Sequence, residues 1–246
     1  MSGVWLVLPT YNEAENVESV VRAALPQLAS TGREHHVLVV DDNSPDGTGE
    51  IADRLAGEIA AVEVLHRTAK QGIGPAYIAG FRHALGRGGE LVLEMDSDFS
   101  HDPADLPRLI AASDDADLVL GSRYVRGGGV TDWGLLRRAI SRGGSLYAQV
   151  ILRLPVRDLT GGFKCFRRSV LEGLDLTSVG TDGYGFQIEV TYRAAQAGFR
   201  VREVPIVFRD RRVGASKMSW RIAAEAFWKV PLLRLPRGSS ALYFLK

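Results

Sequence analysis

Cysteine is nearly missing from this chain of 246 residues: Cys165 stands alone, which leaves no internal disulfide and fits a reducing compartment. Its place in an apolar strand-like run makes inert packing the expected role. Long apolar runs are missing too, since no stretch approaches the roughly 20 residues that span a bilayer. Met1-Ser2-Gly3 enters a strand-like run without a basic leader, so no secretory signal is expected. These absences lead us to expect a cytoplasmic protein, at most peripheral on the cytoplasmic face of a membrane. The dinucleotide signature Gly-x-Gly-x-x-Gly is lacking, because Gly72-Ile73-Gly74-Pro75 meets Tyr77 where the third glycine would stand; a weaker approach to a phosphate is all it suggests. Net charge is small as well, at +1, but it hides an asymmetry. Residues 1–118 carry 8 Lys/Arg against 20 Asp/Glu, and residues 119–246 carry 22 against 9. Between Trp133 and Val170 eight basic residues face the single acid Asp158, a cationic surface suited to phosphate groups or anionic lipid.

The size and the 46% hydrophobic content suffice for one α/β domain with a short C-terminal appendage. Val4–Leu8 and Val37–Val40 are continuous apolar runs of the kind parallel strands show when covered on both faces. Between them Ala14, Val17, Val20, Val21, Ala24, Leu25 and Leu28 recur at helical spacing, completing a βαβ unit. The alternation continues through a helix from about Gly49 to Ile59, strand Val62–Leu65, a helix from about Pro75 to Leu85, strand Leu91–Leu93, a helix from Pro103 and strand Leu118–Leu120. A doubly wound, mostly parallel central sheet with helices on both faces is expected, with ligands beyond the strand C-termini. After residue 124 the pattern changes. Gly127-Gly128-Gly129 reads as a flexible joint, and a helical pattern runs from Leu135 to Leu152. A glycine turn then enters a strand at Leu159–Phe166, and Ser169-Val170-Leu171-Glu172 reads as a capping box. A helix from about Phe186 to Ala197, a strand from Val201 to Phe208 and a basic loop at Arg209–Lys217 follow. Trp220 to Leu235 is a basic amphipathic helix, able to lie in a membrane interface or to dock on the domain's own core.

Polar residues gather where strands end: Pro9-Thr10-Tyr11-Asn12-Glu13, Asp41-Asp42-Asn43-Ser44-Pro45-Asp46-Gly47, Asp96-Ser97-Asp98 and Gly121-Ser122-Arg123-Tyr124. Asp96 and Asp98 follow a buried strand, and carboxylates suit Mg²⁺ or Mn²⁺, which typically keep positions for phosphate and water. An EF-hand is excluded, since His101 and Pro107 occupy the required glycine and glutamate positions. Helix capping accounts for Asp102 and Asp105 but leaves Asp96 and Asp98 unexplained. The doubled acid Asp41-Asp42 destabilises a strand end unless it meets ribose hydroxyls, base donors or a cation. Arg209 to Lys217 looks like a lid over phosphates, with Arg211 and Lys217 as candidates for a clamp on the leaving diphosphate.

Taken in order, Pro9–Glu13, Val40–Thr48, Glu94–His101, Gly121–Tyr124, Gly161–Phe163 and Arg211–Lys217 resemble the motifs of the GT-A inverting glycosyltransferases, and within them the dolichol-phosphate or polyprenol-monophosphate mannose synthases. The resemblance implies a single GT-A (Rossmann-like) domain over 1–218, with a nucleotide-sugar and metal half at 1–124 and an acceptor half and lid loop at 125–218, before an amphipathic helix and tail at 219–246. It implies GDP-mannose as donor, a polyprenyl phosphate as acceptor, and Mg²⁺ or Mn²⁺ on Asp96 and Asp98. Pro9, Tyr11, Glu13, Asp41, Asp42, Asp96, Ser97, Asp98, Arg211 and Lys217 would bind the nucleotide sugar. Arg123, Arg137 and Ser141 would bind acceptor phosphate, and Asp96, Asp98, Arg123, Arg211 and Lys217 would serve catalysis. Ser100 stands where some relatives carry a metal-proximal glutamine, and the C-terminal transmembrane helices of some relatives have no counterpart, which leaves room for a separate membrane-anchoring protein. No nucleic-acid partner is expected. A related transferase using UDP-glucose, or a non-catalytic nucleotide or anionic-lipid binding module, is the alternative reading.

Overall fold

The computed structural model describes residues 3–181, 183–210 and 227–234. The apolar runs form Gly3–Thr10 (β1), His35–Asp41 (β2), Val62–His66 (β3), Gly89–Glu94 (β4) and Leu118–Ser122 (β5). Helices Val17–Ala29 (α1), Thr48–Glu58 (α2), Ile73–Gly86 (α3) and Leu106–Ala112 (α4) connect them. Past β5 come Gly129–Val130 (β6), Leu135–Leu152 (α5), Lys164–Arg167 (β7), Arg168–Gly173 (α6), Tyr184–Gln196 (α7), Val201–Pro205 (β8) and Val207–Phe208 (β9). The main sheet runs β3-β2-β1-β4-β7-β5-β8, parallel except for β7, which lies antiparallel between β4 and β5. Alternation along β1 sends Val4, Leu6 and Leu8 to a layer with α1, α2 and α4, and Trp5 and Val7 to a layer with α3, α6 and α7. Cys165 is fully buried in β7, and burial pushes its thiol up to about 12, in keeping with a packing role.

Helix α3 lies so close to the sheet that a Cβ on Gly80 would run into Val7 Cγ1. Gly80→Ala should therefore destabilise the domain by about 1–3 kcal/mol, the usual cost of overpacking, read as a lower midpoint in urea at unchanged slope.

Three local expectations are corrected. Gly127-Gly128-Gly129 is a close-packed crossing: Gly129–Val130 pairs in parallel with Val207–Phe208, and a Cβ on Gly128 would come within 2.5 Å of the Ser122 carbonyl oxygen. The strand expected over 201–208 divides at Ile206, whose N–H bonds Ser122 O, so β8 stays in the main sheet and β9 serves the small one. Ser169 caps nothing, because α6 begins at Arg168 and Glu172 takes the Arg168 guanidinium at 2.7 Å. In α5 the buried positions are Ser145, Ala148 and Leu152, while Leu135, Leu136, Ile140, Leu146 and Val150 are exposed. Its apolar stripe faces outward. The described part of the C-terminal segment docks on the domain: Val230 is buried, and Phe227 stacks on Tyr147 of α5 with ring centroids 4.6 Å apart.

Candidate active site

A cleft of about 260 Å³ opens beyond the C-terminal ends of β1, β2, β4 and β5, where chain reversals between parallel strands and helices place polar loops side by side. Pro9, Tyr11, Glu13, Asp42, Asp96, Ser97, Asp98, Arg123 and Arg137 all line it. The sequence reading thus brings nine of its candidates to one place.

At one end, Asn12 adopts a left-handed conformation (φ 55°) and its N–H bonds Ser44 Oγ at 3.0 Å, locking the loop after β1 to the loop after β2. Glu13 N–H bonds Thr48 Oγ1 at 2.9 Å, a second tie between those loops. Asp41 and Asp42 part company here. Asp41 Oδ1 accepts from the hydroxyls of Thr10 (3.3 Å) and Ser44 (2.6 Å), and Oδ2 accepts from Ser44 N–H (3.1 Å), so Asp41 builds the turn and does not line the cleft. Asp42 does line the cleft, its Oδ1 held by Arg67 Nη1 at 2.5 Å; burial pushes this carboxyl up against the opposing pull of Arg67. Lys70 Nζ sits 4.1 Å above the Tyr11 ring, and Gly72 (φ 103°) also reaches the wall.

The acid pair follows β4. Phe99 sits in a left-handed turn (φ 60°), and Asp98 Oδ1 accepts from Ser100 N–H at 3.0 Å, which folds the loop back toward the cleft. Ser97 Oγ donates to the Pro9 carbonyl at 3.1 Å, fastening the loop to β1. Tyr77 OH approaches Asp96 Oδ1 at 3.4 Å. His101, wholly buried between the Phe163 and Phe208 rings, is lowered to about 4 by burial, so it is neutral at pH 7 and Nδ1 can accept from Asp96 N–H at 3.4 Å. The residues fit a hard divalent cation: two carboxylates on one loop, oxygen donors throughout, and a buried Ser100 hydroxyl lining the cleft without a hydrogen-bond partner. Among the described residues no three His, Cys, Asp or Glu side chains gather into a metal-holding cluster, so the pair would leave the remaining positions to phosphate and water.

The opposite wall is cationic. Arg123 is buried and gripped by Asp158: Nε to Oδ2 at 2.7 Å, Nη2 to Oδ1 at 2.7 Å, and its own N–H to Oδ2 at 2.9 Å. Burial alone would lower the Arg123 pKa, but Asp158 outweighs it and keeps the guanidinium charged. Both Asp158 oxygens are thus engaged, which removes it as a general base and makes it the group that orients Arg123. Arg137 lies over the Trp133 ring, 4.3 Å from its centroid, and its Nη1 meets Asp210 at 2.8 Å. Ser141 is not among the residues that line the cleft, and its Oγ accepts from Tyr124 OH at 2.7 Å. Arg211 and Lys217 lie outside the described residues.

Sequence reasoning missed Lys70, Trp133, Thr160, Tyr184 and Gln187, which also line the cleft. Their positions depend on how α3, β7 and α7 pack, which no local spacing encodes.

The glycosyl transferase family 2 pattern matches residues 5–175. Over 223 residues, 91% of this chain and 90% of the relative, the sequence is 48% identical to an undecaprenyl-phosphate mannosyltransferase of Micrococcus luteus. It is 47% identical over 230 residues to a polyprenol monophosphomannose synthase of Mycolicibacterium smegmatis, covering 92% and 84% of the two chains. Among solved structures, a mannosyltransferase of Pyrobaculum calidifontis in complex with GDP-Man and Mn²⁺ superposes with a TM-score of 0.62 at 24% identity over 90% of this chain, which spans 60% of that longer protein. Glucosyl-3-phosphoglycerate synthase of Mycobacterium tuberculosis, in complex with Mn²⁺, UDP and phosphoglyceric acid, gives 0.69 at 20% identity over 96% of this chain and 80% of its own. At these identities the structural likeness speaks for the fold.

Proposed function

Since the chain belongs to glycosyl transferase family 2, we propose that it transfers mannose from GDP-mannose to a polyprenyl phosphate, with inversion, giving the β-linked polyprenyl-phosphate mannose. The observation that carries this reading is the identity of 48% and 47% to two polyprenyl-phosphate mannosyltransferases across more than nine-tenths of the chain.

The cleft's own residues suit the chemistry. Asp42, Tyr11 and Lys70, which line the cleft together with Pro9 and Glu13, would take the nucleoside. Asp96 and Asp98 would hold Mg²⁺ or Mn²⁺, which neutralises charge on the departing diphosphate when bound. Arg123, fixed by Asp158, and Arg137, stacked on Trp133, would take the acceptor phosphate, for which the planar guanidinium fork is suited. From the sequence, Arg211 and Lys217 are assigned to the leaving diphosphate. A phosphomonoester has a second pKa of about 6 and is already an anionic nucleophile at pH 7. No protein base is then required, in keeping with the full engagement of Asp158 by Arg123.

The exposed stripe of α5 gives the lipid somewhere to lie. Leu135 and Leu136 are 84% and 74% exposed at the start of the helix, next to the cleft residues Trp133 and Arg137, and Ile140, Leu146 and Val150 continue the stripe. With Arg138 and Arg142 beside it, this face suits an anionic membrane surface on the cytoplasmic side. No described helix is long and apolar enough to cross a membrane. Replacing Leu135, Leu136 and Ile140 with serine should reduce co-sedimentation with anionic vesicles by about ten-fold or more, while GDP binding in calorimetry is retained.

The reading is tested by incubating the protein and Mn²⁺ with a short polyprenyl phosphate and a panel of sugar nucleotides. GDP-mannose should be the preferred donor, with the β configuration of the product read by NMR. Preference for UDP-glucose would replace this reading with the related transferase, and sugar-nucleotide binding without lipid-dependent GDP release would leave only a binding module. Chelation with EDTA should abolish transfer, and Mn²⁺ or Mg²⁺ should restore it.

A further inference from the structure

Beneath the acid loop lies a buried polar group that the proposed chemistry has not used. Lys164, on β7, is fully buried, and its Nζ donates to Glu94 Oε1 at 2.9 Å, to the Gln187 side-chain oxygen, and more distantly to the Gln187 carbonyl at 3.5 Å. This fixes which way the Gln187 amide faces. If Lys164 is an ammonium, it has only hydrogens to offer. If the proton sits instead on Glu94, the amine accepts that one and still points two hydrogens toward Gln187. In both states Gln187 must present oxygen to Lys164, and its NH₂ must face the other way.

The other way is the cleft, whose wall includes Gln187. A Cβ on Gly162 would stand 3.3 Å from Gln187 Nε2 and 3.7 Å from Asp96 Oδ1, so the amide nitrogen and the outer carboxylate flank one space that glycine keeps open. The Glu94 carboxylate also interacts with the Gln187 side chain, yet an NH₂ has two hydrogens and keeps one for the cleft. Gln187 stands on the first turn of α7 and lines the cleft with Asp96. Anionic oxygens already have Arg123 and Arg137 in this cleft. A neutral amide donor matches a neutral hydroxyl.

We infer that Gln187 donates a hydrogen bond to a hydroxyl of the donor sugar beside Asp96, with Lys164 as the positioning residue that holds the amide in that orientation. The inference rests on the cleft being a sugar-nucleotide site and adds the group that reads the sugar.

The test compares the full-length protein and Gln187→Met on the wild type's best sugar nucleotide and on the monodeoxy analogues of its sugar, with GDP and Mn²⁺ binding measured by calorimetry. Choosing that donor makes a failure of the GDP-mannose reading visible in the donor panel while leaving this test intact. In the wild type, removal of one particular hydroxyl should lower kcat/KM about ten-fold, the worth of a single hydrogen bond. Gln187→Met should lose about as much on the intact donor, show no further loss with that analogue, and keep its GDP affinity within about two-fold. Lys164→Met should shrink the same penalty and no other. Deoxy penalties that persist unchanged in Gln187→Met would overturn the inference, as would a GDP affinity that falls together with kcat/KM, which would place the amide on phosphate. Should Gln187→Met fail to fold, Gln187→Asn, which withdraws the amide by one methylene, is read by the same two outcomes.

Discussion

Asp98→Asn should lower transfer by about 10²–10³-fold or more, the scale seen when a group that stabilises developing charge is removed, while the thermal midpoint stays near the wild-type value. Asparagine is the informative replacement because its side-chain oxygen can still accept the Ser100 N–H now held at 3.0 Å, so the turn at Phe99 is retained. Only the charge is lost. Without it, a divalent cation has one carboxylate in place of two, and the diphosphate departs with less of its charge neutralised. The loss should fall mainly on kcat at saturating Mn²⁺, measured by single-turnover transfer with a radiolabelled donor. Full transfer by Asp98→Asn would remove the metal role from this residue.

Asp158→Ala should destabilise the domain by about 3–5 kcal/mol, because it leaves the buried Arg123 cation with the Thr160 hydroxyl but without a counter-charge. Asp158 is entirely buried, with both its oxygens on the Arg123 guanidinium. Urea unfolding reads this as a lower midpoint at constant slope. The pH dependence has a definite sign. Burial would raise the Asp158 pKa, but Arg123 overcomes it and leaves it depressed below the unfolded value of about 3.9. The stabilisation is therefore complete above that unfolded value and is lost as the pH falls through the depressed folded one. A loss below about 1 kcal/mol, no more than an exposed pair supplies, would contradict the description of Asp158 as the lock on Arg123.

The strands and helices of the first half were legible because burial on both faces writes itself as continuous apolar runs, and the covering helices as a period near 3.6. Val4–Leu8 and Val37–Val40 left little room for another assignment. The doubled acids were legible as a type and not as individuals: sequence put Asp41 and Asp42 together, and only the neighbouring Ser44 and Thr10 side chains decide that one braces the turn while the other faces the cleft. Helix α5 was found by its period, but a period does not say which way a stripe faces, and here Leu135 and Leu136 look outward. Lys164 and Gln187 carried no local signal, since they are 23 residues apart and meet only where α7 packs over β7, whose antiparallel pairing with β4 also brings Lys164 to Glu94. The glycines at 127–129 misled for a related reason: the same residue type serves mobility and close approach, and only the Ser122 carbonyl distinguishes them.

The central claim is that the aspartate pair after β4 and the Asp158-braced arginine face one another across a single cleft, one side for a metal-bound nucleoside diphosphate and the other for a second phosphate. A crystal structure with GDP, Mn²⁺ and a short polyprenyl phosphate tests this most directly, with the manganese located by its anomalous signal. We predict manganese on Asp96 and Asp98, the diphosphate against it, and the lipid phosphate on Arg123. Manganese away from this loop, or a lipid phosphate that makes no contact with Arg123, would contradict the account.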